Sequence, residues 1–253
     1  MADMSIKGID TNHDFTMDTP SYWSGFWERE DGRGVGGCDP DSSSPILRAY
    51  HRKLWSRTLP NGESMELLEG TPYEYLTWNG MRFGSDSILA SFRYRRYKSM
   101  LDQVAAIIPD YKKFVESFLH KSYTIGGMMI FPKRKMGINQ ARGCNPFIRD
   151  RWDLTMECIR RHYNHDNNPL ENTLKEDEYF FSLFNDFRGF VDFFFLQDCV
   201  SEDYNSVIFW EGDGEFRNQP LPGTPEEYIK YIEAELDFVV KRNKRIASYI
   251  SSI

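Results

Sequence analysis

The residues best suited to chemistry lie between Arg142 and Tyr163, in the run RGCNPFIRDRWDLTMECIRRHY. On a helix, Asp150, Asp153, Glu157 and Arg161 share one stripe, opposite an apolar face of Trp152, Met156, Ile159 and Tyr163. Three carboxylates on a stripe could hold a hard divalent cation such as Mg²⁺ or Mn²⁺, which prefers oxygen ligands. The same spacing also describes a solvated face. Glu157 and Arg161 form a favourable i, i+4 pair, and Asp150 would sit in the first turn, where the helix dipole favours negative charge. Arg142, Arg149, Arg151, Arg160 and Arg161 offer planar guanidinium forks that suit phosphate oxygens. From Lys133 to Arg161 eight basic residues stand against three acidic ones, a local excess of five, whereas the chain as a whole carries −7 and the remainder therefore −12. A basic centre inside an acidic molecule fits a pocket for a small anion better than a surface for duplex DNA. The alternative is that these arginines pair with the acidic majority.

Other pairs invite weaker readings. Arg160 and His165 match the R-x4-6-H spacing of HEPN-type ribonucleases. Cys158, His162 and His165 approach zinc-ligand spacing, but Asn164, Asn167, Asn168 and Pro169 end the helix there and spoil it. Asp39 and Asp41 in CDPD could meet a cation or form Asx-turns around Pro40. His51 and Trp55 share a helix face, as a stacked core histidine would. Asp86, Asp192 and Asp198 sit beside apolar runs and need partners. No Walker motif, GxGxxG or GxSxG occurs, which removes P-loop, dinucleotide-fold and α/β-hydrolase assignments.

The elements that must position these residues follow from capping and periodicity. Residues 1 to 44 are acidic and rich in Gly, Ser and Asp, an irregular arm anchored by Tyr22, Trp23, Phe26 and Trp27. Ser44-Pro45 opens a helix. MELLEG and YEYLTWNG read as short strands, and Ser85 or Asp86 as the cap of a helix running to about Met100. A helix spans about 110 to 120, and YTIGGMMIF is a buried strand whose Gly126-Gly127 marks a bulge or a close backbone approach. Two buried helices parted near Arg188-Gly189 fill 176 to 200, and SVIFW reads as a strand. Thr224-Pro225-Glu226-Glu227 is a capping box opening a helix to about Ser248. The expected fold is α+β: a helix-dominated single domain, 45 to 253, with a small mixed or antiparallel sheet.

Composition agrees with that expectation. Forty per cent hydrophobic and 15% aromatic residues in 253 are enough for one large core. Mean hydropathy is −0.58, and no stretch approaches the ~20 apolar residues of a membrane span. The N-terminus lacks the basic and apolar regions of a secretory signal, and four cysteines without a CxxC pair fit reduced thiols, so a cytoplasmic protein is expected.

The ordered set CDPD, YHRKLWS, LPNG, SDSI, YTIGG, INQARG, DRWDLTMECIRRHY, FRGFVDFFFLQDCV and RNKRI resembles a widespread bacterial family, some members of which belong to phages or mobile elements, catalogued as a domain of unknown function. The resemblance runs from about residue 38 and implies a single-domain cytoplasmic protein without an assigned activity. It places the family's polar motifs at Asp39, Asp41, His51, Asp86, Arg142, Asp150, Arg151, Asp153, Glu157, Arg160, Arg161, Asp192 and Asp198.

Taken together, the expectation is a pocket for a phosphorylated or nucleotide-like ligand. Arg142, Asn145, Arg149, Arg151, Arg160, Arg161, His51, Asp192 and Asp198 would bind it. Asp150, Asp153, Glu157 and Asp86 would do any chemistry, such as metal-assisted hydrolysis or transfer at a phosphate or glycosidic bond, or the protein would sequester a nucleotide signal in phage conflict. The alternatives are a HEPN-like ribonuclease or RNA-binding toxin, and an acidic interaction protein without catalysis. The aromatic arm offers a surface for homo-oligomerisation.

Overall fold

The computed structural model describes residues 6, 8–22, 39–71, 75–88, 98–210, 216–218 and 222–253. Its one sheet has four antiparallel strands in sequence order: β1 (Leu68–Glu69), β2 (Leu76–Trp78), β3 (Met81–Ser87) and β4 (Met128–Pro132). The β2–β3 hairpin closes on Asn79-Gly80, both at positive φ (47° and 78°), the backbone that a two-residue turn between right-twisted strands requires. β3 then pairs along its length with β4, from Phe83 opposite Pro132 to Ser87 opposite Met128. The structure is thus α+β, with helices predominating, as the sequence implies.

Here the sequence reading needs its first correction. Ser85 and Asp86 do not cap a helix; they lie in the middle of β3. Their polar side chains alternate across the strand, so each meets a different set of partners. The helix expected from that cap to about Met100 does not start there; residues 89–97 lie outside the described residues, and α3 (Lys98–Ile107) begins close to where the expected helix was to end.

Two short helices precede the sheet. α1 (Pro40–Ser43) is capped by Asp39, and α2 (Pro45–Trp55) by the Ser44 hydroxyl, with proline in the first turn of each. After α3, Asp110 caps α4 (Tyr111–Ser122). Beyond β4 come α5 (Ile138–Cys144), α6 (Trp152–Tyr163), α7 (Glu171–Glu176), α8 (Glu178–Ser182) and α9 (Phe187–Phe193). The phenylalanine-rich helices part at Leu183–Asp186, where Asp186 caps α9, rather than at Arg188-Gly189, which lies inside it. Gly189 is required there by proximity: a Cβ would lie 2.0 Å from the Phe184 carbonyl. SVIFW is not a strand either; it contributes one isolated bridge, Val207 to Val200.

The last helix, α10 (Pro225–Ser251), opens on the expected capping box of Thr224 and Glu227 and runs 27 residues, or about 40 Å at 1.5 Å per residue. It crosses the start of β4. Asn243 receives the Gly126 N–H (2.7 Å) and donates to Thr124 (2.7 Å), while a Cβ at Gly126 would stand 2.5 Å from the Val239 carbonyl. The double glycine therefore marks a close approach of backbones. Of the arm's expected anchors, Tyr22 is buried against Tyr123, and Trp23, Phe26 and Trp27 lie outside the described residues. Phe15 is fully buried, and its N–H reaches the Tyr123 carbonyl at 2.9 Å.

Candidate functional site

Arg142 organises the centre of the site. It leaves the last turn of α5 and is 1% exposed, so every guanidinium contact is made with protein. One terminal nitrogen donates to the Asp86 carboxylate (3.0 Å) and the Ser87 carbonyl (3.0 Å). The other donates to the Asp150 carbonyl (3.0 Å) and reaches the Ile88 carbonyl (3.5 Å), and Nε lies 3.4 Å from the Asp150 carboxylate. Asp150 returns the contact, its N–H donating to the Arg142 carbonyl at 3.0 Å. To close this loop, Arg149 and Asp150 both adopt positive φ (50° and 67°), a conformation that non-glycine residues hold only when surroundings enforce it.

Two carboxylates thus share one buried cation, and a third, Asp39, acts on Asp86 from the turn before α1. Burial drives the Asp86 acid up to about 7, and the Asp150 and Asp39 charges add to that; the Arg142 guanidinium opposes it without cancelling it. About a quarter of each of Asp86 and Asp150 remains exposed (26% and 23%), so Asp86 can exchange a proton with something outside the protein. A carboxylic acid poised near neutral pH beside a second carboxylate is the arrangement used for general acid–base work.

The expected helical stripe does not form. Asp150 precedes α6, outside its first turn. Asp153 and Glu157 are buried (6% and 8% exposed) and committed to nearby arginines. Asp153 takes a two-point contact from Arg151 and a hydrogen bond from Tyr231 (3.3 Å), with the Arg151 guanidinium over the Trp210 and Tyr231 rings. Glu157 accepts twice from Arg160 and once from Arg161, each at 2.8 Å, which holds its acid below the usual range despite the burial. Among the described residues no group of three or more His, Cys, Asp or Glu side chains is placed to hold a metal ion. A carboxylate triad of Asp150, Asp153 and Glu157 around a divalent cation is therefore set aside.

The remaining candidates are scattered. Arg142 and Arg151 are too buried to meet a ligand, and Arg149, half-buried, stands at the Asp150 loop. Asn145 caps α5, accepts from the Phe147 N–H and donates to the Pro169 carbonyl. Asp192 accepts from Gln197 and Tyr204, and Asp198 pairs with Arg245, on surfaces of α9 and α10. Arg160, the proposed nuclease arginine, is bound to Glu157, and His165 lies beyond the end of α6.

His51 is more informative. Its Nδ1 accepts from the Trp55 indole N–H (2.9 Å), so the neutral ring carries its proton on Nε2, which donates to Ser85 Oγ (3.0 Å). Burial keeps it neutral, lowering its pKa to about 3, with the Arg242 charge acting the same way. His51 thus cannot take the Ser85 proton; it fixes Ser85 as a donor. Tyr75 and Asn139 line the same cleft as Ser85, and sequence reasoning passed over both. Asn139 stood in the INQARG motif, but only Arg142 drew attention there.

A family model described as a family of unknown function (DUF6994) matches residues 9–246. The chain belongs to that family. No curated protein and no solved structure matches it. In this DUF6994 protein the matched stretch contains every residue of the Asp39, Asp86, Arg142 and Asp150 cluster as well as His51 and Ser85. No helix among the described residues is long and apolar enough to cross a membrane.

Proposed function

We propose that Asp86 is the proton-transferring group of a small-molecule site completed by Asp150 and Asp39, acting at the glycosidic bond of a nucleotide-like or otherwise phosphorylated compound. The observation that carries this reading is the pair of carboxylates on one buried arginine, with Asp86 held as an acid up to about 7. A protonated acid can donate to a departing base or alcohol. A neighbouring carboxylate stabilises the positive charge that develops on the sugar ring. Arg149, which stands beside this pair at the Asp150 loop, supplies the positive charge that a phosphate on the same compound would meet.

The test is to incubate the protein with nucleotides, nucleoside-diphosphate sugars and dinucleotide cofactors, with and without Mg²⁺ or Mn²⁺, and to separate the products by chromatography. The expected result is release of base or sugar from one of these classes. It should decline as pH rises through about 7 and fall by roughly 10²-fold or more in Asp86→Asn, the usual contribution of general acid catalysis. Undiminished turnover by a folded Asp86→Asn protein would remove Asp86 from the mechanism.

A further inference from the structure

The opposite face of β3 lines a cleft. Ser85 points away from Asp86 into a cleft of about 180 Å³ bounded by α1, β3 and the β4–α5 turn. Its polar lining includes Asp41, Tyr75, Ser85, Lys133, Asn139 and Gln140. Tyr75 is 5% exposed, and its hydroxyl approaches Ser85 without forming a hydrogen bond of ordinary geometry. Asn139 Oδ1 is likewise buried with no partner. Buried polar atoms are nearly always satisfied, and two exceptions lining one cleft indicate groups that an occupant completes.

The hydrogen-bonding senses narrow that occupant. Because His51 Nε2 donates to Ser85 Oγ, the Ser85 proton is available to donate onward. Burial holds the Tyr75 hydroxyl well above its ordinary pKa, so it too stays a donor. The Arg48 guanidinium, 4.8 Å over one face of the Tyr75 ring, and His51 against the ring at 6.2 Å fix its orientation. Asn139 Oδ1 and the Asp41 carboxylate accept. An anion would leave Asn139 Oδ1 unpaired and face Asp41, and an amine would face Lys133 while leaving the two hydroxyl donors unused. Sugar hydroxyls both donate and accept, and so answer every group.

Size agrees. Drug-sized ligands occupy about 300–1,000 Å³, and a benzene-binding cavity is about 150 Å³, so 180 Å³ encloses a single ring. The neighbouring Arg134 is taken up by Asp177, Glu176 and the Thr173 carbonyl, and Lys133 also lines the mouth.

We propose that this cleft binds one pentose or hexose ring, free or as part of a larger compound, through Ser85, Tyr75, Asn139 and Asp41. The site is independent of the Asp86 chemistry. Saturation-transfer NMR on the whole protein with millimolar D-ribose, D-xylose, D-glucose and D-galactose, and inorganic phosphate followed by ³¹P line broadening, tests it. The expected result is transfer to at least one sugar and no broadening of phosphate. Binding of that sugar should weaken about tenfold in Ser85→Ala and in Asn139→Leu, the loss of about one hydrogen bond. Both variants must melt near the wild type, and Tyr75→Phe, which keeps the ring, serves as a third. Asp86→Asn should keep the signal, which separates this site from the acid–base reading. No transfer to any sugar, or equal transfer in the folded cleft variants, would overturn the proposal.

Discussion

Arg142 and Arg242 are both buried, and they are held in opposite ways. Arg242 of α10 is fully buried, and no carboxylate among the described residues pairs with it. It donates instead to the carbonyls of Phe194 (3.0 Å), Gly126 (2.9 Å) and Met128 (2.9 Å), and burial lowers its pKa to about 9. Arg142 also takes carbonyls, but two carboxylates share it, and the Asp150 charge is the strongest influence holding its proton on against burial. The first arrangement joins three segments of backbone and leaves nothing for a ligand. The second over-supplies negative charge, and the excess resides on Asp86. A buried cation is therefore no sign of a site; the surplus around it is.

The largest effect should come from breaking the carbonyl-bound centre. Arg242→Ala strips three buried carbonyls of their donor and leaves a cavity, and should destabilise by on the order of 4 kcal/mol, measured by urea unfolding. That loss should change much less between pH 5 and pH 8 than the loss at Arg142, since no carboxylate is tied to it and His51 is the titrating neighbour, held neutral mainly by burial. Arg142→Ala should cost on the order of 3 kcal/mol at pH 8, where Asp86 and Asp150 lose their shared cation, and distinctly less at pH 5, where Asp86 is protonated. Equal pH dependence in the two variants would erase the distinction between the centres.

A smaller effect tests the link between them. His51 lies near Arg242 and bonds to Ser85, and its lowered pKa means that the unfolded chain takes up a proton below about 6.5 while the folded chain resists until about 3. The wild type should lose stability as pH falls through that window, by at most ~1.4 kcal/mol per pH unit. His51→Gln should flatten this acid limb, as read by melting temperature at several pH values. The smallest effect is the counterpart at Asp86. Its raised acid stabilises the fold below pH 4 and does so progressively less up to about 7, and Asp86→Asn should abolish that gentle decline.

Local chemistry made much of the scaffold legible. Thr224 to Glu227 and Ser44-Pro45 each fix their own backbone, so reading them needs no distant partner, whereas the Asn79-Gly80 turn was passed over inside the segment read as a strand. The site was less legible, because its residues signal one thing locally and do another at long range. Ser85 and Asp86 have the composition of a helix cap, yet pairing with Met128 to Pro132 and contacts to His51 and Arg142 make them the middle of a strand. The basic run around α6 looked like an anion pocket, yet Arg151 with Asp153, and Glu157 with Arg160 and Arg161, neutralise one another within four residues. Arg142, whose partner Asp86 lies 56 residues away and whose partner Asp150 sits on a strained loop, instead became the centre of a cluster.

The contact of α10 with the Gly126 segment has a consequence for synthesis. Gly126 and Asn243 are 117 residues apart, and Gly126 and Arg242 are separated by 116. While the ribosome is still making the last helix, the carbonyls of Gly126 and Met128 have no donor, and the front of β4 cannot be buried dry. This end of β4 is therefore closed only after the segment carrying Arg242 and Asn243 has been made, a long-range closure of the kind that slows folding and leaves apolar strands open to chaperones in the interval.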